Sequence, residues 1–289
     1  MAKKLAHILV LLAAGLAGSR PAHAVAPPEA EPRPLGERPL ELPSTLRDGP
    51  YELSWSVDLP IFLGSAALWS TMFVLRDGEV RRTCPCSGDD LPGFERIALG
   101  RSSAADTVSD VMVGAALAAP LLLDALDVSR SGASWQGYWE DMVVVAEALL
   151  ANGAINEVVK TAASRPRPRI HDLPAGAGLS NADDYTSFYS AHTSNTFAVG
   201  MAYAFTYAHR HPDDPMRWAV YGGAVAVGAG VGALRVAAGA HFPSDVIVGG
   251  LAGAAIGTIV PWLHLRSPAT NLAVAPTEGG ALVAISGQL

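Results

Sequence analysis

Six apolar segments separated by helix-breaking residues constrain the fold of this 289-residue chain more than any other feature. None of the six shows the strict alternation of a half-buried strand, and each is long enough for a helix. Asp77-Gly78, Ser131-Gly132 and the polar turn at 211–215 stand between them. The sequence therefore predicts an all-α bundle of six helices, over residues 59–75, 111–123, 142–159, 193–208, 218–234 and 246–263.

The same segments indicate a membrane. Half of the residues are apolar, and the last two segments run for 17 and 18 residues without a charge, close to the length that crosses a bilayer. The first three segments are weaker candidates, because the first contains Pro60, the second has only 13 residues and the third carries Glu147 and Glu157. We expect a bundle that is embedded in the membrane or held against it.

The chain ends have compositions of their own. Residues 1–24 combine Lys3 and Lys4, an apolar run and a small-x-small site at 22–24, which predicts a secretory signal peptide. Residues 25–53 are rich in Pro and Glu and predict a disordered leader. The domain that contains the six apolar segments spans 54–265, and the tail, 266–289, predicts a short hairpin around Glu278–Gly280.

Charge excludes one class of partner. The formal net charge of −7 argues against nucleic acid, and the one dense basic patch is Arg-Pro-Arg-Pro-Arg at 165–169. Lys160 is the only lysine beyond position 24. A single lysine in register with Arg167 fits a compact point charge that reaches a phosphate oxygen.

Three segments carry the groups that phosphoryl transfer requires. The first joins Lys160 to Arg167-Pro168, the second is Ser190-Ala191-His192, and the third runs from Arg235 through His241 to Asp245. Six antiparallel helices would place all of them at one end of the bundle. Two helices begin at the second and third segments, and helix N-termini favour anions.

The spacing of these residues resembles the tripartite signature of the type 2 phosphatidic acid phosphatase superfamily. That superfamily includes lipid phosphatases, class A bacterial acid phosphatases and vanadium haloperoxidases. The first motif is complete, whereas Tyr189 and Ala191 replace proline and glycine in the second and Leu234 replaces serine in the third. The changes fall on backbone-shaping positions, so the resemblance implies an active enzyme.

Each residue then has an expected role. Neutral His241 is the candidate nucleophile, which would form a phosphohistidine, and Asp245 would hold its ring N–H. The resemblance makes His192 the general acid and then the general base. Lys160, Arg167 and Arg235 would bind the phosphoryl oxygens with help from Ser190 and the Ala191 N–H, and no metal or other cofactor is expected.

The expected function is hydrolysis of a phosphate monoester or pyrophosphate, with a phosphorylated lipid as the favoured substrate and an extracytoplasmic active site. The alternatives are a soluble periplasmic acid phosphatase acting on small phosphate esters, a vanadium haloperoxidase, and a membrane protein that binds anionic head groups without turnover. The role of Cys84 and Cys86 is undecided. Two cysteines in an exported protein suggest a disulfide, but a bridge across one residue is strained, and a zinc or redox role has little support. The oligomeric state does not follow from the sequence.

Overall fold

A computed structural model describes residues 49–84, 86–173 and 181–266, together with the backbone of two strands, 271–277 and 280–286. The predicted signal peptide and nearly all of the predicted leader lie outside the described residues. The same holds for residues 174–180, in the loop that follows the arginine-rich run.

Six long helices form a bundle in the described part of the chain, which confirms the predicted all-α fold. In chain order they are α1 (Trp55–Glu79), α2 (Ser103–Ser131), α3 (Trp135–Ala163), α4 (Ala191–Arg210), α5 (Met216–Ala237) and α6 (Pro243–His264). The predicted hairpin is also present, as β1 (Asn271–Thr277) paired antiparallel with β2 (Gly280–Ser286).

Every helix is longer than the apolar segment that predicted it, because polar residues complete its ends. The clearest case is α2, which has 29 residues where 13 apolar ones were predicted. The hydroxyl of Ser102 accepts a hydrogen bond from the Ala105 N–H at its start, and Gly132 takes the left-handed conformation (φ 72°) at its end.

Among the described helices, α1, α2, α3, α5 and α6 are long and apolar enough to cross a membrane. The expectation that the second segment is too short is therefore wrong. The first and third segments also qualify by length and composition, although Pro60 lies inside α1 and Glu147 and Glu157 lie inside α3. The outer surface agrees with a lipid environment, since α1, α2, α5 and α6 expose large apolar side chains such as Leu63, Leu122, Trp218 and Leu251.

Helix α4 lies at the centre and packs against α2, α3, α5 and α6. Its approach to α6 is close because α6 carries glycine at every fourth position. A Cβ added at Gly253 or Gly257 would collide with the carbonyl oxygens of Ser194 and Ala198. This small-residue spacing lets two helix backbones meet, as in membrane bundles.

Successive helices run in opposite directions. Asn152 of α3 donates to Ser194 and Asn195 near the start of α4, whereas Asp141 near the start of α3 pairs with Arg210 at the end of α4. The ends of α1, α3 and α5 and the starts of α2, α4 and α6 therefore meet at one end of the bundle, which we call the motif end. All three predicted motifs lie there.

Candidate active site

His241 lies in the tight loop between α5 and α6, directly before the Phe242-Pro243 start of α6. Its side chain is 1% exposed. Nδ1 donates a hydrogen bond to the carbonyl oxygen of Ser187 at 2.7 Å, and Nε2 accepts one from Arg167 Nη1 at 3.2 Å. Donation from Nδ1 and acceptance at Nε2 fix one neutral tautomer, with the Nε2 lone pair facing a cation.

Electrostatics favour the same neutral form. Burial, followed by the charges of Arg167, Lys160 and Arg235, holds the pKa of His241 well below its usual value. All three predicted cations thus act on this one imidazole. A neutral, fixed imidazole surrounded by cations is a group that can attack the phosphorus of an anion.

Asp245 stands in a different relation to His241 from the one predicted. Its Oδ2 lies 3.8 Å from Nδ1, beyond hydrogen-bond length. Instead Oδ2 accepts from the Ser187 hydroxyl at 2.5 Å and from the Phe242 N–H at 2.9 Å, and Oδ1 pairs with Arg165. The carboxylate holds the segment whose carbonyl holds the imidazole, so its contact with the ring is indirect.

The three arginines of the run at 165–169 have different partners. Arg165 pairs with Asp245 and Glu95, and Arg169 pairs with Asp183 and Asp184. Arg167, in the middle, donates to Asp183 as well as to His241. The two flanking arginines therefore fasten the loop, while the middle one is aimed into the site.

Lys160 lies in the last turn of α3 and is 5% exposed. Within the described part of the chain its ammonium makes no hydrogen bond and no ion pair within 4.0 Å. A buried cation without a direct partner is costly. An anionic ligand bound beside it would supply the missing contacts.

Arg235 and His192 are joined through helix α2. Arg235 Nη1 donates to Asp106 at 2.6 Å and to Asp110 at 3.3 Å, and Asp110 Oδ1 lies 2.9 Å from His192 Nε2. Burial, followed by the charge of Arg235, lowers the pKa of His192 to about 4, although Asp110 acts in the opposite direction. His192 is therefore neutral at pH 7 without a ligand.

The start of α4 completes the site. The Ser190 hydroxyl accepts hydrogen bonds from the N–H and the hydroxyl of Thr193 and caps the helix. The N–H of Ser190 itself donates to the carbonyl of Asp245, which ties α4 to α6. Among the described residues the N–H of Ala191 has no acceptor outside the helix, and it points from a helix N-terminus, where an anion is favoured.

Sequence reasoning assigned no role to Arg165, Asp183, Ser187, Asp106 or Asp110. For Arg165, the available signal was the alternation of arginine and proline at 165–169. The acidic pair at 183–184 and the serine carry no pattern of their own, because their partners lie far away along the chain. Asp106 and Asp110, one helical turn apart, face the site from α2.

Other histidine, aspartate and cysteine side chains have contacts of their own. His171 and Asp172 bond to the backbone at Arg167 and Gly88. His211 pairs with Asp127 at the opposite end of the bundle. Cys84 and Cys86 form a disulfide in the connection between α1 and α2, at the motif end.

Comparison with known proteins gives a family match and one solved structure. Residues 141–268 match the model of the PAP2 superfamily, a range that contains all three motifs. No curated protein matches the chain. A solved structure, a transmembrane PAP2 type phosphatidylglycerolphosphate phosphatase from Bacillus subtilis, is 19% identical over 71% of this chain and 92% of its own, with a TM-score of 0.40.

Proposed function

We propose, from the match of residues 141–268 to the PAP2 superfamily model, that the protein is a phosphatase that uses His241 as its nucleophile. The observation that carries the proposal is the fixed tautomer of this buried imidazole. Its Nδ1 is committed to a carbonyl, and its Nε2 faces Arg167 with Lys160 and Arg235 nearby. Three cations of this kind match the oxygens of a transferring phosphoryl group.

In the first step the Nε2 lone pair attacks phosphorus and the bond from phosphorus to the ester oxygen breaks. The phosphoryl group takes over the contact that Arg167 makes with Nε2. The leaving oxygen receives a proton from His192, which must be protonated for this step. The products are the alcohol and a phosphohistidine on His241.

In the second step neutral His192 accepts a proton from water as the water oxygen attacks phosphorus. The bond from phosphorus to Nε2 breaks, the electron pair returns to the imidazole, and phosphate leaves. His192 regains the proton that it donated, so the cycle closes. Besides water and the substrate, every group that acts in the two steps is a side chain of this protein, and the mechanism has no step for a metal ion.

The substrate we favour is a phosphorylated lipid. An apolar cavity of about 340 Å³ lies between α2, α4 and α5, lined among others by Pro120, Thr196, Tyr203, Gly223 and Val227. Thr196 is one turn along α4 from His192, and its hydroxyl donates to the His192 carbonyl. A chain attached to a phosphate at the motif end would find apolar surface there.

Phosphate release tests the activity, and the substrate panel should contain phosphatidic acid, a prenyl pyrophosphate, lipid A and a water-soluble ester. Trapping of a labelled, acid-labile and base-stable phosphoprotein tests the intermediate. His241→Ala is the negative control and should give no labelled protein. Absence of release from every substrate, with bound head groups retained, would identify a non-catalytic binder and reject the proposal.

Cavity variants test the lipid part separately. Gly222 and Gly223 each have open space where a Cβ would stand, but only Gly223 lines the cavity. Gly223→Leu should reduce hydrolysis of a long-chain substrate while hydrolysis of a short-chain ester persists, and Gly222→Leu is the matched control. Equal effects on long and short substrates would exclude the cavity as the chain-binding site.

We also propose that the motif end faces the extracytoplasmic side. The support is the Cys84–Cys86 disulfide at this end, since disulfides persist in oxidising compartments. With α1, α2 and α3 all crossing the membrane, this orientation places the start of α1 in the cytoplasm. It is then incompatible with a cleaved signal peptide at residues 1–24, so one of the two expectations must fail.

A further inference from the structure

Three buried ionisable side chains meet away from the motif end. Asp58 lies in the first turn of α1, Glu147 in the middle of α3, and His264 is the last residue of α6. Their exposures are 5%, 3% and 9%. His264 Nε2 lies 3.4 Å from Asp58 Oδ1 and 3.2 Å from Glu147 Oε2. One ligand atom from each residue falls within 4.8 Å of the other two.

The two carboxylates of this cluster need a positive charge between them, which either a protonated His264 or a bound cation can supply. His264 Nδ1 donates to the carbonyl of Val260 at 2.8 Å, so a neutral ring directs its Nε2 lone pair at the two carboxylates. Glu147 Oε2 is buried, and among the described residues its polar contact is with His264 Nε2 at 3.2 Å. Two carboxylates and a lone pair repel one another unless a positive charge lies between them.

The distances fit a metal ion. A tetrahedral ion with bonds of about 2.0–2.2 Å to its ligands holds those ligand atoms roughly 3.3–3.6 Å apart. The two contacts of His264 Nε2, at 3.4 and 3.2 Å, are close to that spacing. From this geometry we propose that Asp58, Glu147 and His264 bind a divalent transition-metal ion, and Zn²⁺, which binds both imidazole nitrogen and carboxylate oxygen, is the ion to test.

The surrounding contacts orient the ligands as metal sites require. The second oxygen of Asp58 accepts the Ser54 N–H at 2.6 Å. The Nδ1–H of His264 is held by a main-chain carbonyl, which is the usual outer contact of a metal-bound histidine. Both contacts fix the atoms that remain free, Asp58 Oδ1 and His264 Nε2, toward Glu147.

The site is structural and does not rest on the proposed phosphatase activity. Glu147 precedes Lys160 by 13 positions on α3, which is about 20 Å of helix. The ion would join the start of α1 to the middle of α3 and the end of α6. It would also neutralise acidic side chains in segments that are otherwise apolar, where unpaired charge is costly.

The test uses the full-length protein in detergent, with its affinity tag removed, after chelation and passage into metal-free buffer. Zn²⁺ is added in small excess, unbound metal is removed, and bound metal is measured by mass spectrometry. We expect one equivalent per chain and a rise in melting temperature. Co²⁺ should give the visible absorption of a low-symmetry site with nitrogen and oxygen ligands.

His264→Gln should not bind the one equivalent of Zn²⁺, and added Zn²⁺ should not raise its melting temperature. His209→Gln is the matched control, because His209 makes the same bond to the carbonyl four residues earlier and has no ion pair with a described carboxylate. If His264→Gln fails to fold, the same measurements of bound Zn²⁺ and melting temperature are made on Glu147→Gln. No stoichiometric metal in the wild-type protein, or equal metal content in wild type and the ligand variants, would overturn the site.

Discussion

Ser187 connects the carboxylate of Asp245 to the imidazole of His241. Its hydroxyl donates to Asp245 Oδ2 at 2.5 Å while its carbonyl accepts from His241 Nδ1 at 2.7 Å. The acid and the imidazole therefore communicate through one residue of the loop before α4. In a direct triad, loss of the acid permits the wrong tautomer of the histidine. Here the carbonyl continues to select the tautomer.

Replacing the proposed nucleophile, His241, should lower kcat more than replacing Asp245, which holds the loop that orients it. His241→Ala should lower kcat by about 10⁴-fold or more, since removing a nucleophile removes the covalent route. Asp245→Asn should lower kcat by roughly 10- to 100-fold, because the Ser187 carbonyl still fixes the ring. Phosphate release by purified variants measures both. Near-normal activity of the His241 variant would reject the mechanism.

The role of Asp245 in holding this loop can be tested further through Arg165, which pairs with Asp245 and Glu95. Because Arg165 and Asp245 hold the same loop, Arg165→Gln should add little to Asp245→Asn in a double-mutant cycle. Fully additive losses would mean that the two residues act separately.

A vanadate experiment examines the three cations. Orthovanadate should inhibit, because its trigonal-bipyramidal form resembles the phosphoryl group in transfer, and EDTA should leave turnover unchanged. Lys160→Met should weaken vanadate inhibition by about 10-fold or more, since the buried ammonium contributes a charged contact. Arg96→Met, which removes an exposed cation at the same end, is the control. Loss of turnover with EDTA that zinc or magnesium restores, in the His264→Gln or Glu147→Gln variant as well as in the wild type, would require a metal in the catalytic step.

The pH dependence should report on His192. The general-acid step needs protonated His192, whose pKa is lowered to about 4. For substrates with poor leaving groups, kcat/KM should therefore decline as pH rises above that value, while His241 stays neutral because its pKa is also depressed. Asp110 raises the His192 pKa, so Asp110→Asn should move the decline to lower pH.

An aryl phosphate is the control for this profile, because its leaving group needs little protonation and its rate should depend less on pH. A profile that Asp110→Asn leaves in place would show that His192 does not supply the proton.

The sequence predicted the six helices and the end of the bundle at which the motifs meet, because apolar periodicity and chain direction are local properties. It did not predict Arg165 with Asp245, or Ser187 with His241, since each pair is 54 or more positions apart. The predicted length of α2 was also too short, because the polar turns at both ends of that helix carry no apolar signal. Contacts between distant segments depend on packing, which a single sequence does not display.

The last prediction concerns the side of the membrane that the motif end faces. Asp90, in the connection between α1 and α2, is exposed at the motif end, and Asp213 is exposed in the turn between α4 and α5 at the opposite end. Single cysteines at these positions, in a background with Cys84 and Cys86 replaced by serine, should react differently with a membrane-impermeant maleimide.

We expect Asp90→Cys to be labelled in intact cells and Asp213→Cys only after lysis, because the Cys84–Cys86 disulfide lies near Asp90 in the same connection and requires an oxidising compartment. The two positions are reciprocal controls for access and for lysis. The reverse pattern would place the motif end in the cytoplasm, and labelling of both positions before lysis would contradict a bundle that spans the membrane. Mass measurement of the mature N-terminus completes the test, since an extracytoplasmic motif end with α1, α2 and α3 spanning requires that residues 1–24 are not removed as a secretory signal.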